Sequence, residues 1–269
     1  MIYNLNPWSR ARLAEQKTAP VFLEAGYRPL ARMTLFAGEM REAFSRAEPD
    51  GTWATVLRAG DGDDAITNRR NSLAVRPGVS IERVLEEQLR TLGVGMGNAI
   101  TEIRKQITSS KNLDAKKLQK MLSTLGTNAV GNSSKIAQRL LAQAGMEVSV
   151  QNGQLQVLGQ GQVLGVRATI LTPHNGLEGV PELDREGNLH CRARLLPGLV
   201  PGYPLQVLGR GSDAVNAPDE LYPEMDPHTV YRIERVRYVG DTHGHDWNAE
   251  IEARDVKLGP KEKKKARRK

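Results

Sequence analysis

Trp53-Ala-Thr-Val-Leu-Arg-Ala-Gly-Asp61 and Trp247-Asn-Ala-Glu-Ile-Glu-Ala-Arg-Asp255 are the two stretches on which the reading of this chain turns. Each opens on tryptophan, keeps small or aliphatic residues at alternate positions and closes on Ala-x-Asp. In the later stretch Trp247, Ala249, Ile251 and Ala253 fall on one side of an extended chain, and Asn248, Glu250, Glu252 and Arg254 on the other. That is the pattern of an antiparallel strand with one face in a core and one in water. Upstream, Met33–Phe44 and Thr229–Tyr238 occupy matching strand positions before similar polar turns. The sequence therefore predicts two related β modules, one near each end of the chain.

Around the first stretch, Pro20–Leu23, Met33–Ala37 and Trp53–Ala59 read as strands, with Gly, Asp and Pro between them to turn the chain. Around the second, Ala168–Leu171, Leu189–Leu195, Pro204–Leu208 and Val230–Val239 read the same way. The middle is different. After Ser80, a helix N-cap, Ile81, Val84, Leu85, Leu89 and Leu92 recur at helical spacing. A second helical stretch, with room for a break, runs from Ala99 to about Leu125, and a third follows Ser133 or Ser134. Met146–Val150 and Leu155–Leu158 then alternate about Asn152-Gly153, a turn pair that tolerates positive φ at both positions and so predicts a hairpin. The fold class is β-rich α+β. Its expected parts are a β module over 1–78, a helical insert with a hairpin over 79–163, a second β module over 164–256 and a basic tail over 257–269.

The net charge of +7 has a local origin: Lys257–Lys269 holds six Lys, two Arg and one Glu, while residues 1–256 hold 30 basic and 30 acidic side chains. A dedicated nucleic-acid domain would spread basic charge over its body. The candidate contacts for DNA or a partner are thus confined to Lys261, Lys263, Lys264, Lys265, Arg267, Arg268 and Lys269. One cysteine, Cys191, makes neither an internal disulfide nor a cysteine metal cluster, so synthesis in a cytoplasm is expected. No apolar run reaches the ~20 residues of a membrane helix, and no membrane insertion is expected.

Motifs that carry chemistry are scarce. His243-Gly-His245-Asp246 with Asp241 has metal-ligand residue types, but in a glycine-containing turn this spacing reads first as a polar turn. Gly93-Val-Gly-Met-Gly97 follows a helix and lacks the Lys-Ser/Thr pair of a phosphate loop. His190 and Cys191, adjacent on a strand, point to opposite faces. No catalytic, cofactor-binding or metal-binding residue is assigned, and the chain reads as a structural protein. The residues singled out are structural: Trp53, Trp247, Asn152 and Gly153.

The order of these blocks resembles the baseplate hub proteins of tailed bacteriophages, including the Mu-like hubs and the late control protein D group. The resemblance lies in Leu35-Phe-Ala-Gly38, in Trp53 through Gly62, and in Arg76-Pro-Gly-Val-Ser80 before a helix. It continues in Ala144-Gly145 before the hairpin Val148–Val157, in Leu171–Glu182 and in Leu195–Gly202. Most specific is Tyr231-Arg-Ile-Glu-Arg-Val-Arg-Tyr-Val-Gly-Asp-Thr-His-Gly-His-Asp-Trp247. Ile100–Asn128 and the basic tail depart from the family pattern.

The resemblance implies two tail-tube-like antiparallel β-barrel modules around a smaller α/β region. It also implies a homotrimeric ring in the virion tail, assembled in the host bacterial cytoplasm, with six barrels that match a sixfold tail tube. Its partners would be the tail tube protein, the central spike protein and other baseplate proteins, with DNA passing through the channel and no cofactor. Two other functions fit parts of the chain. One is nucleic-acid binding through the basic tail, and the other is a tail-associated cell-wall hydrolase, since acidic residues are plentiful.

Overall fold

The computed structural model describes residues 1–16, 19–27, 32–62, 66–109, 112–184, 186–208 and 228–256. These residues form fourteen strands and five helices, a β-rich α+β chain. The chain divides into two compact units, Met1–Val157 and Leu158–Lys269.

The first unit opens with β1 (Ile2–Tyr3), α1 (Pro7–Glu15), β2 (Pro20–Ala25), β3 (Met33–Ala47) and β4 (Trp53–Gly60). Its four strands make an antiparallel sheet in the order β1-β4-β3-β2. Helix α1 is capped by Asn6, whose side chain accepts the Ser9 N–H at 2.7 Å, and it buries no residue.

A helical body follows: β5 (Arg70–Val75), α2 (Ile81–Arg90), α3 (Ala99–Thr108), α4 (Leu113–Leu125), β6 (Thr127–Asn132), α5 (Ser133–Gln143), β7 (Met146–Gln151) and β8 (Gln154–Gly159). Ser80 caps α2 by accepting the Arg83 N–H, and the helix buries Ile81, Val84, Leu85 and Leu89. Those side chains share a core with Ile103, Leu118, Leu122, Leu140, Leu141, Met146, Leu155 and Val157. Each fully buried leucine there contributes about 1.5–3 kcal/mol relative to exposure.

The break between α3 and α4 falls at Asn112. Its side chain accepts the Ala115 N–H at 2.9 Å to start α4 and donates to the Ala144 carbonyl at 3.0 Å. Strands β5 and β6 pair as an antiparallel ribbon, as do β7 and β8.

The second unit holds β9 (Thr169–Leu171), β10 (Leu177–Leu183), β11 (Asn188–Arg194), β12 (Pro204–Val207), β13 (Tyr231–Gly240) and β14 (Trp247–Asp255). The sheet order is β10-β11-β14-β13-β12-β9, with β9 and β12 parallel and the other pairs antiparallel. Leu189, Ala193, Leu205, Ile233, Ala249, Ile251 and Ala253 form its core. The alternation of the last strand is thus met by Ala249, Ile251 and Ala253, while Asn248 is buried as well.

Several elements have no counterpart in the sequence reading, and each lacks the pattern that would reveal it. Strand β6 is Thr-Asn-Ala-Val-Gly-Asn, without alternation. Strand β10 contains Gly179 and Pro181, and its register against β11 shifts between Glu178 and Glu182. Helix α1 packs no apolar face that periodicity could report.

Candidate assembly surface

The hairpins β3–β4 and β13–β14 follow one plan. The first pairs from Ala47 opposite Trp53 to Glu39 opposite Gly60, the second from Gly240 opposite Trp247 to Tyr231 opposite Asp255. In each, the leading strand carries one extra residue. Glu42 faces Arg58 and Met40 faces Ala59, so Arg41 is the bulge. Arg235 faces Glu252 and Ile233 faces Ala253, so Glu234 is the bulge. Counted from its tryptophan, the bulge sits at the same step of both hairpins, opposite the gap between the fifth and sixth following residues.

The pair beside the bulge is ionic in both, with the charges exchanged between strands. Arg58 Nη1 lies 2.9 Å from Glu42 Oε2, and Arg235 Nη1 lies 3.6 Å from Glu252 Oε2. Any two hairpins share a pleat. A bulge is a fixed local departure from it, and its recurrence beside an ion pair is a far more specific match.

At the end of the first sheet away from the Trp53 turn sits the tip of the β7–β8 hairpin. Asn152 and Gly153 have φ of 51° and 73°, the left-handed pair of a tight two-residue turn. The Asp61 carboxylate accepts the N–H of Asn152 and, at 2.9 Å, that of Gly153. The Asn152 side-chain oxygen accepts the Ala37 N–H at 3.0 Å. A Cβ on Gly62 would stand 2.8 Å from Val150 Cγ1, so the close approach requires glycine there. Three hydrogen bonds and this contact lock the hairpin tip to the ends of β3 and β4.

No family model matches the sequence, and no curated protein matches it significantly. Solved structures do match. The tail protein from Neisseria meningitidis MC58 superposes with a TM-score of 0.53 over 88% of this chain and 84% of its own, at 8% identity. This chain shares the fold of that protein. The 43 kDa tail protein of prophage MuSo2 from Shewanella oneidensis aligns with a TM-score of 0.48 over 83% of this chain and 77% of its own, at 9% identity.

Within this fold, the two tryptophans that begin the paired strands have different surroundings. Trp53 is exposed, with the Arg10 guanidinium 3.9 Å above its ring. Trp247 is half-buried and packs on Gly240, where a Cβ would stand 2.8 Å from the ring. The first sheet also leaves Tyr3, Phe22, Leu23 and Phe44 exposed. In the helical body, a groove of about 560 Å³ runs between α5 and β6; its lining includes Leu125 and Val130, both well exposed, and Lys135 and Arg139.

The remaining candidates settle into structural roles. The Asp241 carboxylate accepts the His243 N–H at 2.9 Å, and this bond holds the Asp241 acid below its ordinary range. Among the described residues no group of three or more His, Cys, Asp or Glu is placed to hold a metal. Cys191 lies in the second core, where burial pushes its thiol up to about 12. His190 points away from it, toward Asp184 at 3.5 Å. Among the described residues no helix is long and apolar enough to cross a membrane. Lys261, Lys263, Lys264, Lys265, Arg267, Arg268 and Lys269 lie outside the described residues.

Proposed function

We propose that this chain is a structural, non-enzymatic subunit of a bacteriophage tail. It acts in the baseplate hub as one of three copies in a ring that joins the sixfold tail tube to the threefold spike around the DNA channel. The observation that carries the reading is the repeated hairpin, with its bulge at one position and its ion pair reversed, because it points to one β unit present twice in one chain. Three such chains supply six units, the number a sixfold tube presents. The tail-protein fold supports the setting, and the hub family resembled by the sequence supplies the role.

The work implied is mechanical: adapt one symmetry to another, hold a channel open and anchor neighbours. The experiment is the mass of the purified chain in solution, with negative-stain images, alone and mixed with the tube and spike proteins of the same tail. A trimeric ring, alone or on mixing, is the expected result. A monomer that ignores both partners overturns the hub.

A further inference from the structure

Between Asp114 and Glu147 the chain has no acidic residue, and it carries Lys116, Lys117, Lys120, Lys135 and Arg139 there. This run builds most of α4 and all of β6 and α5, the elements around the groove of about 560 Å³ in the helical body. Lys117 is paired with Asp114 at 3.5 Å. Lys135 and Arg139 line the groove, and among the described residues no carboxylate is paired with either. A concave surface with cations and no acid concentrates positive potential.

The groove also has an aliphatic wall and an open strand edge. Leu125 and Val130 are 75% and 81% exposed within it, and no aromatic residue lines it. The Ser133 N–H donates to the Arg69 carbonyl at 2.9 Å, which sets the phase of the β5–β6 ladder. Thr127, Ala129 and Gly131 turn their backbone groups toward β5, and Asn128 and Val130 turn theirs away. The Gly126 N–H keeps that phase, donating away from β5 to the Leu122 carbonyl at 3.2 Å. The ribbon has two strands, and among the described residues nothing bonds the outward backbone groups of Asn128 or Val130. Both residues line the groove.

We infer that this groove receives an extended acidic segment of a partner protein, with aliphatic and carboxylate residues in alternation, as a third strand along the free edge of β6. Each feature of the seat selects one feature of the occupant. The outward N–H and C=O groups of Asn128 and Val130 take main-chain bonds, which give this mode of recognition its affinity. Leu125 and Val130 take the aliphatic side chains out of water. Lys135 and Arg139 take the carboxylates, and the absence of any acid from the wall turns away a basic segment. The same charge balance argues against the chain's own basic tail as the occupant. A nucleic acid would use the cations but leave the aliphatic wall bare, and it would find no aromatic ring on which to stack a base.

A fluorescein-labelled peptide of alternating valine and glutamate is titrated with the full chain and followed by anisotropy, beside its valine–lysine counterpart and a short DNA duplex. The acidic peptide should bind, and its binding should weaken as salt rises. Arg139→Glu changes an exposed side chain, so it should keep its circular dichroism and lose about tenfold or more in affinity. On the natural chain, the amides of Asn128 and Val130 should exchange more slowly once the peptide is bound. Binding that survives Arg139→Glu belongs to the basic tail and overturns the seat. So do absence of acidic-peptide binding, equal binding of the lysine peptide, and unchanged exchange at both amides. DNA that binds in place of the peptide, and is lost with the same variant, makes the groove a phosphate site and overturns it too. Each measurement needs a single copy of the chain, so failure of the hub ring leaves the seat untouched.

Discussion

Asp61 shows how much a single carboxylate can organise. It accepts two N–H groups from a turn 91 and 92 residues away, and charge-assisted bonds of this kind are among the stronger ones. Asp61→Ala should therefore cost about 1–3 kcal/mol, read as a lower denaturant midpoint. Gly153→Ala meets no neighbour within 4 Å, so its cost is the backbone strain of φ 73° alone, about 1 kcal/mol. Asp184 offers a pH test. Burial works to raise its pKa, but bonds from Asn188, Glu186 and His190 outweigh it and leave the acid below the usual 3.8. A depressed folded pKa means a stabilisation present above the unfolded value and lost as pH falls through the folded one. Urea midpoints measured downward from pH 5 should thus fall more steeply below about pH 4 for the natural chain than for Asp184→Asn. The Asn152-Gly153 turn was legible because its chemistry is local; Asp61 as its partner was not, since nothing near Asp61 in sequence specifies a contact so far along the chain.

Strands were legible where the pleat is regular and hidden where it is not. The alternation around Trp53 and Trp247 revealed both second strands of the paired hairpins. The bulges at Arg41 and Glu234 stayed hidden, because an inserted residue looks like a lapse in pattern until the register is known. The helix after Ser80 was legible from cap and spacing together, and Ser80→Ala should lower its stability by about 1 kcal/mol, seen as a loss of helical signal at lower temperature. The ion pair beside the bulge allows a sharper experiment on the first hairpin. Glu42→Arg or Arg58→Glu alone sets like charges opposite one another, and each should cost about 0.2–1 kcal/mol; both side chains are more than half exposed, so the low end is expected. The double reversal should recover the loss in a thermal melt, since the second hairpin already carries that polarity.

At the scale of the molecule, the two units have separate cores, one built on helices and one on a six-stranded sheet. Leu89→Ala removes a fully buried side chain from the first and should cost about 2–5 kcal/mol. Hydrogen exchange should then quicken across α2, α5 and β8 and stay unchanged in β11 and β14; uniform quickening would mean one cooperative fold. Fold class was legible at this scale because helices and strands are segregated along the chain. The parallel pairing of β9 with β12 was not, because strand order is a fact of pairing rather than of composition. A chain that carries the same hairpin twice faces a hazard during folding, when either leading strand can find the wrong mate with its bulge still in register. Strand β3 laid against β14 would bring Glu42 to Glu252, and β13 laid against β4 would bring Arg235 to Arg58. The reversed charges thus act as a key, admitting each strand to its own partner and turning away its double, both within one chain and among crowded copies of it.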